Sequence, residues 1–145
     1  DQPRSRGLGD VYKRQVYDTE LGRLGMMICY DIRFCELART YALKKADVLV
    51  VTSDFPNPRV NHWRTLLTAR AIENQCYLAG VNRVGTDPDA SYAGDSALID
   101  FAGRTLADAG DRERTLTAEF DSEAKAAFKE KFPAWMDADD FELKC

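Results

Sequence analysis

One stretch, residues 24–34 (LGMMICYDIRF), restricts the possible folds of this chain more than any other. Its first five residues are apolar or glycine and predict a buried β-strand. Cys29 follows directly, and a short polar turn then leads into a helix. A strand that ends in a tight turn before a helix lifts one side chain out of the sheet, beside backbone N–H groups that favour an anion. Cys29 is therefore placed as a nucleophile would be.

Strand and helix patterns alternate along the rest of the sequence. A hairpin is predicted over residues 16–28, and apolar residues recur at helical spacing from Phe34 to Ala42. The β-branched run Val48–Thr52 is typical of a strand covered on both faces. The remaining predicted elements are a helix capped by Asn61 with a buried stripe from Trp63 to Ile72, a strand over 76–81, a hairpin over 96–107, a strand over 115–120 and a helix from about 121 to 132. This order predicts an α/β fold in which the chain supplies one helical layer.

Composition argues against several classes of protein. A length of 145 residues fits one domain, and the net charge of −4 comes without the basic stripe that nucleic-acid binding requires. Apolar runs fall short of the roughly 18 residues that a membrane span needs. The four cysteines, Cys29, Cys35, Cys76 and Cys145, form neither a C-x-x-C pair nor a metal-binding pattern. We therefore predict a protein of the reducing cytoplasm with no metal, nucleic-acid partner or membrane partner.

The segment GMMICYDIRFCEL resembles the nucleophile motif of the nitrilase (carbon–nitrogen hydrolase) superfamily, G-x-x-I-C-Y-D-x-R-F-P-E. Three later segments follow the order and spacing of the omega-amidase branch: LLTARAIENQCYLAGVNRVG, YAGDSALIDFAGRTLADA and EKFPAWMDADDF. The resemblance runs from about Val16 to Leu143 and implies the C-terminal half of a four-layer α-β-β-α sandwich. It also implies hydrolysis of the terminal amide of short dicarboxylic monoamides through a cysteine thioester. No cofactor is implied, and the full-length protein would be a homodimer.

By the same resemblance, Cys29 is the nucleophile and the Tyr30 backbone N–H contributes to the oxyanion hole. Asp54 and Phe55 occupy a loop in which the branch commonly has asparagine and tryptophan. We expect Phe55 to form an aromatic wall for the substrate. Asp54 either adds a negative charge at the site, which leaves the preferred amide open, or faces solvent as an ordinary loop residue.

The family's general-base glutamate and oxyanion-stabilising lysine both precede the cysteine, and neither is matched in this sequence. We therefore predict that the 145-residue chain is inactive and poorly soluble by itself. Residues 1–15 carry no apolar periodicity and are predicted to be a disordered leader foreign to the protein, with a natural targeting arm as the alternative. Residues 16–145 would then be a partial carbon–nitrogen hydrolase domain.

Other interpretations of the same residues remain open. Cys29 could be a buried structural thiol, or it could form a papain-like dyad with His62, the single histidine. Asp31 and Arg33 are predicted to form a local ion pair that holds the turn. For the whole chain, the alternatives are a truncated scaffold or interaction module without activity, and an amidase of another branch that acts on N-carbamoyl substrates.

Overall fold

The computed structural model describes residues 15–139, so the predicted leader, apart from Gln15, and Cys145 lie outside the described part. A six-stranded mixed sheet, in the order β1-β2-β3-β4-β7-β8, forms its centre, and β5 and β6 form a separate two-stranded sheet. The strands are β1 (Val16–Thr19), β2 (Gly22–Ile28), β3 (Val48–Ser53), β4 (Tyr77–Asn82), β5 (Val84–Thr86), β6 (Ser91–Ala93), β7 (Ala97–Ile99) and β8 (Thr105–Asp108).

Three parallel strands form the middle of the large sheet, and helices connect them. β2 pairs with β3 and β3 with β4 in parallel, whereas the pairs β1–β2, β4–β7 and β7–β8 are antiparallel. The α-helices are α1 (Cys35–Leu43), α2 (Val60–Asn74) and α3 (Ser122–Lys131), and 3₁₀ helices span Cys29–Arg33, Asn57–Arg59 and Ala134–Asp137. α1 and α2 are the crossovers that parallel pairing requires, which confirms the predicted α/β class.

The core lies between the sheet and the helices. Met27, Leu49 and Leu78 point to the helical side and are at most 1% exposed. Trp63 and Leu67 of α2 pack against them, and burial of each such side chain contributes roughly 1.5–3 kcal/mol. The contact is close, because a Cβ placed on Gly80 of β4 would lie 2.6 Å from a Leu67 methyl carbon.

The opposite face of the sheet is apolar but open in the described part of the chain. Met26 is 50% exposed, Ile28 62% and Val81 54%. The sequence predicts β3 to be covered on both faces, whereas helices cover one face only within residues 15–139. An apolar second face is what packing against another sheet requires.

Predictions of the smaller elements succeed in two cases and fail in one. The hairpin of β1 and β2 is confirmed, and Asp121 caps α3 by accepting a hydrogen bond from the Ala124 N–H at 2.8 Å. The strand predicted over residues 115–120 is wrong, because that segment pairs with no strand. Phe120 packs instead against Tyr77, with ring centroids 4.6 Å apart. None of the helices within residues 15–139 is long and apolar enough to cross a membrane.

Candidate functional site

A cavity of about 560 Å³ opens at the carboxyl ends of the three parallel strands. The last residues of β2, β3 and β4 line it, together with the residue that follows each strand: residues 28–29, 52–54 and 81–83. The carboxyl ends of neighbouring parallel strands meet at one edge of a sheet, which is where open α/β sheets bind ligands. The cavity therefore brings together side chains that are far apart in the sequence.

Cys29 stands at the rim of this cavity in an unusual backbone conformation. Its φ angle is +46°, in the left-handed region that residues other than glycine rarely adopt. The side chain is half-buried and has no hydrogen bond within the described residues. Strained backbone that the surrounding structure holds in place is concentrated at functional sites. Cys29 is thus an accessible thiol and not a sealed structural one.

The turn after Cys29 is fixed from three directions. The Asp31 carboxylate accepts a hydrogen bond from the Ile28 N–H at 3.0 Å, and Ile32 is fully buried beneath the turn. From α2, the buried Arg70 donates from Nε to the Ile32 carbonyl at 2.9 Å. Arg70 also pairs with Glu73 at 2.9 Å, so this part of α2 supports the turn. The nucleophile candidate therefore lies on a rigid turn.

The predicted ion pair between Asp31 and Arg33 is absent from the described residues. The Arg33 guanidinium instead lies 5.1 Å from the Tyr30 ring centroid and 5.2 Å from that of Phe55. Contacts of this kind are cation–π interactions. Asp31 bonds the backbone of its own turn, which leaves Arg33 to join that turn to the loop after β3.

The other predicted site residues lie around Cys29 in different environments. Tyr30 is 63% exposed and belongs to the first turn of a 3₁₀ helix, where backbone N–H groups lack intrahelical partners. Asp54 is exposed, lines the cavity and has no ion pair within residues 15–139. Phe55 is 2% exposed and packs against Trp63, with ring centroids 5.5 Å apart. Phe55 is absent from the cavity lining of the described part, and its contact with a substrate stays a prediction.

Two cavity residues, Asn82 and Arg83, were not identified from the sequence. The buried Asn82 accepts a hydrogen bond from the Phe55 N–H at 2.7 Å and donates to the Phe55 carbonyl at 3.1 Å. It thereby fixes the loop that carries Asp54. A signal for both residues is present in the sequence, because Asn82 ends a parallel strand and Arg83 follows it, as Asp54 follows β3.

Arg83 is held at the cavity by the hairpin of β5 and β6. Its Nη1 donates to the Asp87 carboxylate at 2.7 Å, and its guanidinium carbon lies 4.4 Å from the Tyr92 ring centroid. The Ala90 N–H donates to Asp87 as well, and this bond is the main reason that the pKa of Asp87 is lowered from its usual value. Asp87 thus remains ionised at neutral pH and keeps Arg83 in one position.

The described residues support neither a cysteine–histidine dyad nor a metal centre. His62 is exposed, and its Nδ1 lies 3.5 Å from the Arg33 guanidinium. No hydrogen bond joins His62 to Cys29 within residues 15–139. Groups of three or more histidine, cysteine or acidic side chains that could hold a metal ion are absent from the same range. Within the described residues, the cavity offers an accessible thiol, backbone N–H groups and one guanidinium.

Comparison with known proteins identifies relatives over most of the chain. The carbon–nitrogen hydrolase family model matches residues 3–130, a range that begins inside the predicted leader. The chain is 46% identical over 111 residues to the 2-oxoglutaramate amidase of Bacillus subtilis, covering 77% of this chain and 43% of that protein. It is 45% identical over 123 residues to an omega-amidase of Escherichia coli, covering 83% of this chain and 47% of that protein. The chain thus spans about half the length of these relatives.

Solved structures share the fold. A CN-hydrolase superfamily protein from Xanthomonas campestris, with an arsenic adduct in its active site, superposes with a TM-score of 0.83 at 36% identity, covering 90% of this chain and 52% of that one. An amidase from Nesterenkonia superposes with a TM-score of 0.63 at 29% identity, covering 67% and 37%. In that structure, the acetamide moiety of fluoroacetamide is covalently added to the active-site cysteine.

Proposed function

Because this chain belongs to the carbon–nitrogen hydrolase family, we propose that it carries the nucleophile of an amidohydrolase of the omega-amidase type. The substrate would be the terminal amide of a short dicarboxylic monoamide, such as 2-oxoglutaramate or succinamate. The single observation that carries the proposal is the position of Cys29, which stands half-buried and without a hydrogen bond at the mouth of a cavity between strand ends.

The reaction would proceed in two steps. The Cys29 thiolate attacks the amide carbonyl carbon, the C–N bond breaks, and the nitrogen leaves as ammonia after taking up a proton. Water then attacks the resulting thioester, which releases the carboxylic acid and restores the thiol. Backbone N–H groups of the 3₁₀ turn at Tyr30 would stabilise the negative oxygen that develops in each step.

A cysteine needs a base to become a thiolate, and no carboxylate bonds the Cys29 thiol within the described residues. In the proposed enzyme, the family's glutamate and lysine lie upstream of the cysteine and outside the part matched here. We therefore propose that the 145-residue chain does not hydrolyse amides by itself, although its thiol can be alkylated.

The test joins this chain to the upstream part of the Bacillus subtilis 2-oxoglutaramate amidase and measures ammonia release from 2-oxoglutaramate and succinamate. We expect hydrolysis by the fusion, and a loss of at least about three orders of magnitude in the Cys29→Ala fusion. The separate 145-residue chain serves as the matched control and should release no ammonia above background. Equal activity of the Cys29→Ala fusion would overturn the assignment of the nucleophile.

The same fusion distinguishes the two alternatives. Faster hydrolysis of an N-carbamoyl amino acid than of succinamate would favour another branch of the family. A folded fusion that acts on neither class would favour a scaffold without activity. For the full-length protein we further propose a homodimer in a reducing cytoplasm, consistent with the free thiols of Cys29, Cys35 and Cys76.

A further inference from the structure

We propose that Arg83 binds the carboxylate at the non-reacting end of the substrate and thereby determines specificity. The inference rests on the proposed function, because it assigns a residue of the same cavity to the charged half of an omega-amide. A substrate with an amide at one end and a carboxylate at the other needs two recognition points. Cys29 provides the first, and Arg83 is the only cationic residue that lines this cavity within residues 15–139.

The guanidinium has donors to spare. Arg83 forms one side-chain hydrogen bond, from Nη1 to Asp87, and stacks on Tyr92. Its other N–H groups, on Nε and Nη2, have no partner in the described part of the chain. A planar guanidinium binds a carboxylate through two parallel N–H···O bonds, so this free edge has the geometry that such a ligand needs.

The position of the guanidinium is fixed before any ligand binds. The Arg83 backbone N–H donates to the Ser53 carbonyl at 3.0 Å, and its carbonyl accepts from the Gly94 N–H at 3.1 Å. With Asp87 and Tyr92 on the side chain, both ends of the residue are restrained. A preorganised arginine loses little conformational entropy on binding, which favours a role in recognition over that of a mobile surface charge.

Asp54 sets the limit of this selectivity. Asp54 lines the same cavity, and its carboxylate has no ion pair in the described residues. Arg83 would therefore attract a substrate carboxylate, and Asp54 would repel it. The arrangement favours a substrate with one negative charge next to the guanidinium over a substrate with two.

The test compares two alkylating reagents that differ in charge. Iodoacetate carries a carboxylate, and iodoacetamide is neutral. The thiolate displaces iodide from either reagent and gains a carboxymethyl or a carbamoylmethyl group. The ratio of their rates at Cys29, measured by peptide mass spectrometry on the 145-residue chain, cancels the intrinsic reactivity of the thiol. We expect Arg83→Gln to lower the iodoacetate-to-iodoacetamide ratio by about fivefold.

Arg112→Gln is the matched control, because Arg112 is exposed, lies outside the cavity and causes the same change in net charge. Its ratio should equal that of the wild-type chain. The wild-type chain gives a second measure that is independent of how the variant folds. The ratio at Cys29 should exceed the ratio at the exposed Cys35, and the excess should shrink in 1 M NaCl.

An unchanged ratio in a folded Arg83→Gln chain would overturn the inference, as would equal ratios at Cys29 and Cys35 in the wild-type chain. Neither result depends on amide hydrolysis. If the ratio falls while the fusion described above fails to release ammonia, Arg83 still recognises anions and the proposed function fails by itself. If the fusion is active and the ratio does not change, the specificity assignment fails by itself.

Discussion

The two ends of the parallel strands use the same residue types in opposite ways. At the carboxyl ends, Cys29 is half-buried and without a hydrogen bond in the described residues. At the amino ends, Cys76 is 0% exposed, and its thiol lies 3.2 Å from the carbonyl oxygens of Ala46 and Asn74. Burial raises the pKa of Cys76, which keeps that thiol protonated. The thiol at the carboxyl ends is accessible, whereas the thiol at the amino ends is enclosed in the fold.

Charged groups follow the same division. At the amino ends, Lys125 is buried and pairs with Asp47, which also accepts a hydrogen bond from the Arg23 N–H at 2.9 Å. At the carboxyl ends, Asp54 and most donors of Arg83 have no partner in the described part. Satisfied polar groups stabilise a fold, whereas exposed groups with free hydrogen-bonding capacity are available to ligands.

The larger cavity lies at the end opposite to Cys29. A cavity of about 660 Å³, larger than the one at Cys29, lies at the amino ends between α1 and α3. Its walls include Lys129, whose pKa is lowered mainly by burial, and the exposed Trp135. Among residues 15–139, no cysteine lines this cavity. The proposed site is therefore the smaller cavity, where an accessible thiol and the carboxyl ends of the strands coincide.

The largest expected difference between the two ends is thiol reactivity. In the native chain, iodoacetamide should modify Cys29 at least about three orders of magnitude faster than Cys76, because Cys76 reacts only when the structure opens. Peptide mass spectrometry at successive times measures both rates in one sample. In 6 M guanidinium chloride the two rates should agree within a few-fold, which provides the control. Similar native rates would remove the basis of the comparison.

Much of this division could be predicted from the sequence. The pattern of residues 24–34 predicts the strand and turn that the structure shows, and the helical spacing from Phe34 predicts α1. These signals are local, since periodicity and turn chemistry act over a few residues. The position of Cys29 relative to Asp54 also followed from one rule, that parallel strands end at a common edge.

The contacts that depend on distant partners could not be predicted. The Lys125–Asp47 pair joins residues 78 positions apart, and no local pattern reports it. The sequence pairs Arg33 with its near neighbour Asp31, whereas in the structure Asp31 accepts the Ile28 N–H and Arg33 lies against two aromatic rings. The strand predicted over 115–120 failed for the same reason, because strand formation depends on a neighbouring edge that the sequence does not show.

The second prediction tests whether the ion pair at the amino ends of the strands stabilises the fold. Lys125→Met should lower the free energy of unfolding by about 2 kcal/mol, because it leaves the partly buried Asp47 carboxylate without its cation. This value is smaller than that of a fully buried pair, since the Asp47 side chain is 34% exposed. Urea unfolding measures the change. Lys131→Met, at an exposed position of the same helix, is the control and should shift stability by less than about 0.5 kcal/mol. A matching loss in both variants would show that the pair contributes nothing.

The third prediction concerns the stability that Asp47 contributes at the amino ends of the strands and its smaller, acid-dependent loss. Burial acts to raise the pKa of Asp47, but the Arg23 N–H and Lys125 outweigh it, so the pKa lies below its usual value. Such a group contributes stability above its unfolded pKa of about 3.9, and the contribution is lost as the pH falls through the folded pKa. The wild-type chain should therefore lose up to about 1 kcal/mol more than Asp47→Asn between pH 6 and pH 3.

Urea unfolding at several pH values measures this difference, with Asp111→Asn as the control at an exposed site. The control should follow the wild-type curve. An Asp47→Asn curve that runs parallel to that of the wild-type chain would contradict the predicted contribution. Alkylation of Cys29 at neutral pH should be the same in all three chains, because Asp47 lies at the other end of the sheet.

The smallest effect concerns backbone strain. Cys29 and Gln75 both adopt the left-handed conformation, with φ of +46° and +50°. Glycine relieves that strain, so Cys29→Gly should be about 1 kcal/mol more stable than Cys29→Ala, which retains a Cβ. Because the Cys29 side chain forms no hydrogen bond in the described part, Cys29→Gly should also match or exceed the wild-type stability.

At Gln75, substitution by glycine should lower the free energy of unfolding relative to that of the wild-type chain. Its side chain donates from Nε2 to the Phe132 carbonyl at 2.8 Å and is 3% exposed, so Gln75→Gly loses about 1 kcal/mol or more along with the strain that it relieves. Urea unfolding of the four variants, Cys29→Gly, Cys29→Ala, Gln75→Gly and Gln75→Ala, measures the contrast. A higher free energy of unfolding for Cys29→Gly, with a lower one for Gln75→Gly, would mean that the strain at Cys29 is not compensated by side-chain contacts. The strain at Gln75 would then be compensated by the contacts of its side chain. Equal changes at both positions would mean that the backbone of Cys29 is no more specialised than an ordinary helix end.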